Sequence, residues 1–231
     1  MSDDITMKVI NIVTDGCSNI GGDPGQAALK AHGSGIIVNA IGILDGGKNS
    51  AKGEVEGIAQ SGGGVADLIS LDELSKTLTS ATMGSVSNTL TGVVDRELKE
   101  VLKKGMDDIH PEMRFQVVDF IERLTDEVRL KVVVVIDASG SMARKLPEAK
   151  RGTVELLKSL RGRKGQSSIA LVCYPTERNE AYLLKDFTND IDKLERTIIE
   201  VTPGGCTPTA AAIDFAAGLF EEKPLAYENM V

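Results

Sequence analysis

Residues 131–142 read KVVVVIDASGSM, and nothing else in the chain restricts the possible folds so strongly. Val132, Val133, Val134, Val135 and Ile136 run without a polar residue into Asp137, Ser139 and Ser141. With no alternation, neither face of such a segment can be left in water. An unbroken β-branched run is a central strand of a parallel sheet, covered by helices on both sides. Residues two apart at a strand end project to the same side, so the oxygen side chains of Asp137, Ser139 and Ser141 can converge. One anion and two hydroxyls offer hard oxygen ligands suited to Mg²⁺ or a similar cation.

The chain has 231 residues, enough for one large α/β domain or two small ones. Hydrophobic residues make up 42% and charged residues 26%, which argues against disorder. Aromatic content is 3% with no Trp, so the core has to be aliphatic. A net charge of −8 speaks against nucleic acid or an anionic membrane as partner, and the short basic stretch at residues 161–164 (RGRK) reads as a solvated helix end. No apolar run approaches the roughly 20 residues that span a bilayer. The acidic lead MSDDITMKVI does not read as a signal peptide. Cys17, Cys173 and Cys206 lack metal-binding spacing and cannot all pair within one chain, so a reducing cytoplasm is the expected location.

In order, residues 8–13 form a strand ending in Thr14-Asp15-Gly16, and a turn-rich segment leads to a helix over 26–32 closed by Gly33. Residues 35–44 are the next buried strand, which makes a right-handed βαβ unit. A helix over 54–60 and a strand over 65–69 follow. Ser70 and Glu73 then form a capping box, opening a helix with Leu71, Leu74 and Leu78 on one face. Residues 82–91, rich in Gly, Ser, Thr and Asn, read as a linker. Two amphipathic helices come next, one ending near Gly105 and one starting at Pro111, as an antiparallel hairpin. After the 131–136 strand come a helix through Leu146 to Leu160, a strand over 167–174, and a short antiparallel edge strand over 181–187. Ile191, Leu194, Ile198 and Val201 mark a further helix. Last is Pro203-Gly204-Gly205-Cys206-Thr207-Pro208-Thr209, where Thr207 is the expected N-cap of an Ala-rich helix.

Asp137-x-Ser139-x-Ser141 after a buried strand, with Thr207 in a Gly-Gly-x-Thr-Pro-Thr turn, resembles the von Willebrand factor A domain, the family that includes the integrin I domains. The resemblance implies a metal-ion-dependent adhesion site made of D-x-S-x-S, a loop threonine, and an aspartate in a T-D-G context on a later strand. Here Thr14-Asp15-Gly16 stands earlier in the chain, and residues 7–82 resemble the family's C-terminal half while 131–231 resemble its N-terminal half. The implied fold is a doubly wound, mostly parallel six-stranded α/β sheet with one antiparallel edge strand, circularly permuted, with a helical insert at 83–130. Two rivals stay open. One is a chain cut across two tandem A domains; the other is a domain-swapped dimer rather than a monomer.

Carried over residue by residue, the resemblance implies Asp137, Ser139, Ser141, Thr207 and Asp15 as metal ligands, with Gly16, Cys17, Gly140 and Cys206 on the rim. Mg²⁺ is the implied ion, with Mn²⁺ or Ca²⁺ as alternatives, and the implied partner is a protein offering an Asp or Glu carboxylate. Cys17 and Cys206 are read as unpaired loop residues, with a redox-sensitive disulfide or mixed metal ligation as the open alternative, and His32 and His110 as surface residues. The chain is read as a binding module and not an enzyme, because neither histidine falls near the site and no P-loop is visible. The alternatives are a scaffold acting through the 83–130 helices with a structural metal, and a Mg²⁺-dependent hydrolase.

Overall fold

The computed structural model describes residues 5–16, 18–44 and 52–221. Strands β1 (Thr6–Thr14), β2 (Ile36–Ile43), β3 (Gly63–Ile69), β4 (Arg129–Asp137), β5 (Ser167–Tyr174) and β6 (Tyr182–Thr188) form one six-stranded sheet in the order β3-β2-β1-β4-β5-β6. All pairings are parallel except β5–β6. This is the α/β sheet with an antiparallel edge that the strand patterning implies. β4 lies between β1 and β5, and Val132 to Ile136 are all fully buried, as a run apolar on both faces requires.

Alternate residues of each strand face different helical layers. Val132, Val134 and Ile136 share a core with Leu74, Leu78, Leu156, Leu157 and Leu194. These belong to α3 (Leu74–Leu102), α5 (Leu146–Leu160) and α6 (Ile191–Ile198). Val133 and Val135 meet Ala28, Ile58 and Ile213 on the opposite face. That face is covered by α1 (Pro24–Gly33), α2 (Lys52–Ser61) and α7 (Thr209–Gly218). Among the described residues, no helix is long and apolar enough to cross a membrane.

The chain winds outward from β1 through β2 to β3, and outward the other way from β4 through β5 to β6. The two directions diverge between β1 and β4. A crevice opens there beyond the carboxyl ends of the strands, where open α/β sheets take ligands.

The linker expected at 82–91 is a correction: those residues lie inside α3, one continuous helix of 29 residues. Its Ser and Thr hydroxyls do not compete with the helix, because they bond back into it. Thr82 donates to the Leu78 carbonyl, Thr89 to Ser85 and Thr91 to Ser87. Thr82 and Ser85 are also buried against the sheet, where Asn11 donates to Thr82 Oγ1 and Asn39 to Ser85 Oγ. The expected boundary at residue 83 therefore falls within a packed helix.

α3 is about 43 Å long at 1.5 Å per residue, whereas its neighbouring strands of 7 to 9 residues span about 23–30 Å. It starts level with the carboxyl ends of the strands and runs past their amino ends. α4 (Pro111–Glu127) then folds back along the overhang, with Ile121 buried beside Val86 and Leu90, and delivers the chain to the start of β4. The helical hairpin thus stands at the end of the sheet opposite the crevice. Arg163 anchors it there, donating to the Thr125 and Val128 carbonyls at the end of α4 and to Ser167 Oγ on β5. The basic stretch read as a solvated helix end is therefore partly a structural clamp.

Candidate metal centre at the ends of β1 and β4

Both strands that carry the candidate carboxylates end at the crevice, and they are direct neighbours in register through Val13 and Ile136. β4 terminates in Asp137, which is fully buried. Thr14 Oγ1 donates to Asp137 Oδ2 at 2.7 Å, and the Ser139 N–H donates to Asp137 Oδ1 at 2.8 Å. After Ser139 the chain makes a 3-10 turn over Gly140–Arg144, which lifts Ser141 to the rim while Met142 plugs the core. Ser139 Oγ and Ser141 Oγ stand 3.2 Å apart.

Asp15 completes the cluster. Ser141 Oγ donates to Asp15 Oδ1 at 2.7 Å, joining positions 126 residues apart in one chain. Lys145 Nζ forms a salt bridge with Asp15 Oδ2, the two side chains being 8% and 1% exposed. Burial pushes the Asp137 carboxyl above its ordinary range and the nearby Asp15 charge adds to the push, against the hydrogen bonds from Thr14 and Ser139. Lys145 supplies a compensating cation to this pair of buried carboxylates.

Thr207 is not the N-cap expected of it. α7 begins at Thr209 behind Pro208, with no side-chain cap, so the Thr207 hydroxyl is not spent on the helix. Thr207 is instead tied to the loop after Asp15: its N–H donates to Asn19 Oδ1 at 3.0 Å, and the Asn19 N–H donates to its carbonyl at 3.3 Å. The same turn is held to the Asp137 loop by the Gly204 N–H on the Ala138 carbonyl at 2.7 Å. Gly16 N–H donates to Thr14 Oγ1, and Gly140 has open space where a Cβ would stand. Cys206 is a partly exposed free thiol. Cys17 lies outside the described residues.

The structure therefore joins Asp15, Asp137, Ser139 and Ser141 by short contacts and brings Thr207 to the same rim through Asn19. Sequence reasoning missed four contributors. Thr14 orients Asp137, and Asn19 couples two loops. Glu54 on α2 grips the Asp15 loop by accepting from the Ser18 N–H at 2.9 Å and the Ser18 hydroxyl at 2.7 Å. Lys145 neutralises Asp15. Lys145 had a local signal, a cation one turn beyond Ser141 in the same loop, and Thr14 stands in the T-D-G motif itself. A hydroxyl-rich set with two carboxylates fits a hard divalent ion, since such ions take oxygen ligands and tolerate neutral ones. Among the described residues, no three His, Cys, Asp or Glu side chains converge to hold a metal.

Residues 132–230 match the family model for the von Willebrand factor type A domain. The uncharacterized protein YabS of Bacillus subtilis (strain 168) is 39% identical over 220 residues, covering 94% of this chain and 90% of YabS. The chain belongs to the YabS family and carries a von Willebrand factor type A domain. The crystal structure of an uncharacterized protein from Alicyclobacillus acidocaldarius aligns with this A-domain chain at a TM-score of 0.86 and 36% identity, over 93% of each chain. Proximal thread matrix protein 1 from the mussel byssus, in a structure with a zinc-occupied MIDAS motif, aligns at a TM-score of 0.28 and 22% identity, over 87% of this chain and 43% of its own. The matched segment begins on β4 and holds four of the five candidate ligands; the fifth, Asp15, is supplied by β1.

Proposed function

We propose that this A domain is a metal-dependent protein-binding module, holding Mg²⁺ or a similar divalent ion on Asp15, Asp137, Ser139, Ser141 and Thr207. The observation that carries the reading is the convergence of Asp15 on the Ser139–Ser141 pair from a distant part of the chain. A divalent ion there would act as a Lewis acid toward an incoming carboxylate, which makes an Asp or Glu side chain of a partner protein the fitting ligand. The residues of the chain do the rest. Thr14 and the Ser139 N–H fix Asp137, Ser141 and Lys145 fix Asp15, and Glu54 and Asn19 hold the loops in register.

Circular permutation belongs to the same proposal. The T-D-G strand precedes the D-x-S-x-S strand in the chain yet lies directly beside it in the sheet, the neighbourhood the family resemblance implies. Residues up to about 82 and from 131 onward form its two halves, with the α3–α4 overhang joining them. A reducing compartment such as the cytoplasm suits the free thiols of Cys173 and Cys206.

Calorimetric titration with Mg²⁺ or Mn²⁺ tests the reading. Wild-type protein is expected to bind one ion per chain, and Asp137→Ala to lose it by at least about tenfold. A wild-type protein that binds neither ion, and whose melting temperature is indifferent to both ions and chelator, defeats the proposal.

A scaffold role for the hairpin is the second reading, favoured by Val101 at 74% and Phe115 at 77% exposure. Trimming the α3–α4 overhang separates the two, because a metal-dependent partner would still bind.

A further inference from the structure

We propose that Lys145 sets the net charge of the loaded site, weakening its hold on the metal in order to strengthen its hold on an anionic ligand. This rests on the metal reading above and goes beyond it by naming the residue that tunes both steps.

The argument begins with burial. The Lys145 ammonium is 8% exposed and its partner Asp15 carboxylate 1% exposed, so this pair is neither a solvated nor a salt-screened surface contact. A buried lysine of this kind needs a reason, because taking an ammonium out of water is costly unless a charge compensates. One of its partners, Asp15, is a carboxylate that also accepts from Ser141, so Lys145 holds on to one end of the same group whose other end faces the candidate ligands. The position is fixed by the fold. The 3-10 turn after Ser139 brings Lys145 back beneath Ser141, and its backbone N–H donates to the Met142 carbonyl to close that turn.

Charge counting gives the consequence. Counted over the ionised side chains of Asp15, Asp137 and Lys145 alone, −2 and +1 leave −1 at the candidate ligands. A divalent ion raises this to +1, where the same site without Lys145 would be neutral. Two opposite effects follow from one side chain. The ammonium opposes the incoming cation, both by repulsion and by already occupying an Asp15 oxygen. Once the ion is in place, the remaining positive charge attracts a carboxylate that a neutral site would not favour. Within a few ångströms and at an effective dielectric of about 20, unit charges interact strongly enough for a change of about tenfold in either step.

The experiment uses full-length wild-type protein, Lys145→Met, Lys145→Arg, and Lys30→Met, which breaks an exposed ion pair to Asp214 far from the site. Mn²⁺ affinity is measured by titration. Capture of a carboxylate is read from the water-proton relaxivity of the Mn²⁺-loaded protein as acetate is added and displaces bound water. Lys145→Met is expected to bind Mn²⁺ at least about tenfold more tightly while needing several-fold more acetate; Lys145→Arg, which keeps the charge, should not gain Mn²⁺ affinity, and Lys30→Met should stay within about twofold of wild type. If Lys145→Met is unfolded in chelator, Mn²⁺ is expected to restore the fold, since the ion then takes over the neutralisation of Asp15 and Asp137. A folded Lys145→Met with unchanged or weaker Mn²⁺ affinity overturns the inference while leaving the metal site standing. So does a variant that stays unfolded at saturating Mn²⁺. If wild-type protein binds no Mn²⁺, the inference and the reading beneath it fall together.

Discussion

At the scale of single residues, the polar groups buried under α3 are the most exacting. Asn39 sits in the middle of β2 with no exposure, a place where the strand pattern would accept a valine. It donates to Asn11 Oδ1 at 2.8 Å and to Ser85 Oγ at 3.1 Å, and it accepts from the Val65 N–H at 2.8 Å. Asn11 continues the chain to Thr82 Oγ1. Removing one member of a buried network strands its partners without water, so Asn39→Ala should cost about 2–4 kcal/mol in urea unfolding. A loss under about 0.5 kcal/mol would show that the partners find substitutes. Asn11 and Asn39 therefore do for α3 what a linker reading of 82–91 could not foresee: they reward the hydroxyls of Thr82 and Ser85 for being on a helix.

At the scale of elements, the α3 glycines separate propensity from packing. At Gly84 and Gly92 an added Cβ would meet nothing within 4 Å, so Gly84→Ala and Gly92→Ala should each stabilise by roughly 0.5–1 kcal/mol through backbone entropy alone. Gly152 on α5 is the contrast, because its Cβ would lie 3.2 Å from Leu78 Cδ1 and 3.4 Å from Leu74 Cγ, where α3 and α5 pack closely. Gly152→Ala should be neutral or destabilising despite the same gain in propensity. Thermal unfolding of the three variants checks this, and a stabilised Gly152→Ala would mean that the helices have room to move apart. The capping box is the counterpart that local sequence does reveal: Ser70 Oγ donates to Glu73 Oε2 at 2.6 Å, ahead of the short 3-10 turn that leads into α3.

At the scale of the whole molecule, the proton balance of β5 and β6 limits the stable pH range. Burial pushes the Cys173 thiol up to about 12 from an ordinary 9.0, and the Tyr182 phenol up to about 12 from 10.0. Burial likewise raises Tyr174 far above its usual range. In each case the folded group holds its proton more tightly than the unfolded one. The stability this provides is complete below the unfolded values of 9 to 10 and is lost as pH rises toward about 12. Melting temperature should therefore be level from pH 7 to 8.5 and fall steeply above pH 9.5; a level profile to pH 11 would contradict the burial of these groups.

Much of the architecture could be read from local pattern. The unbroken Val132–Ile136 run requires a two-sided cover, the alternate faces of β1 and β4 specify two helical layers, and the brief connection after Tyr174 produces the antiparallel edge. These are properties of neighbouring residues, because strand and helix periodicities are set by backbone geometry within a few positions. The candidate site was legible as residue types because Asp137, Ser139 and Ser141 are close in sequence, although the 3-10 turn after β4, and not the strand pleat, brings Ser141 round.

What only the tertiary structure decided are the relations between distant residues. It joined Ser141 to Asp15, ran α3 unbroken through a segment whose composition suggests a linker, and withheld the cap from Thr207 by starting α7 later. It also set Lys145 against a carboxylate 130 positions away. Sequence determines which side chains stand at the end of each strand; the order of strands in the sheet determines which of those ends meet.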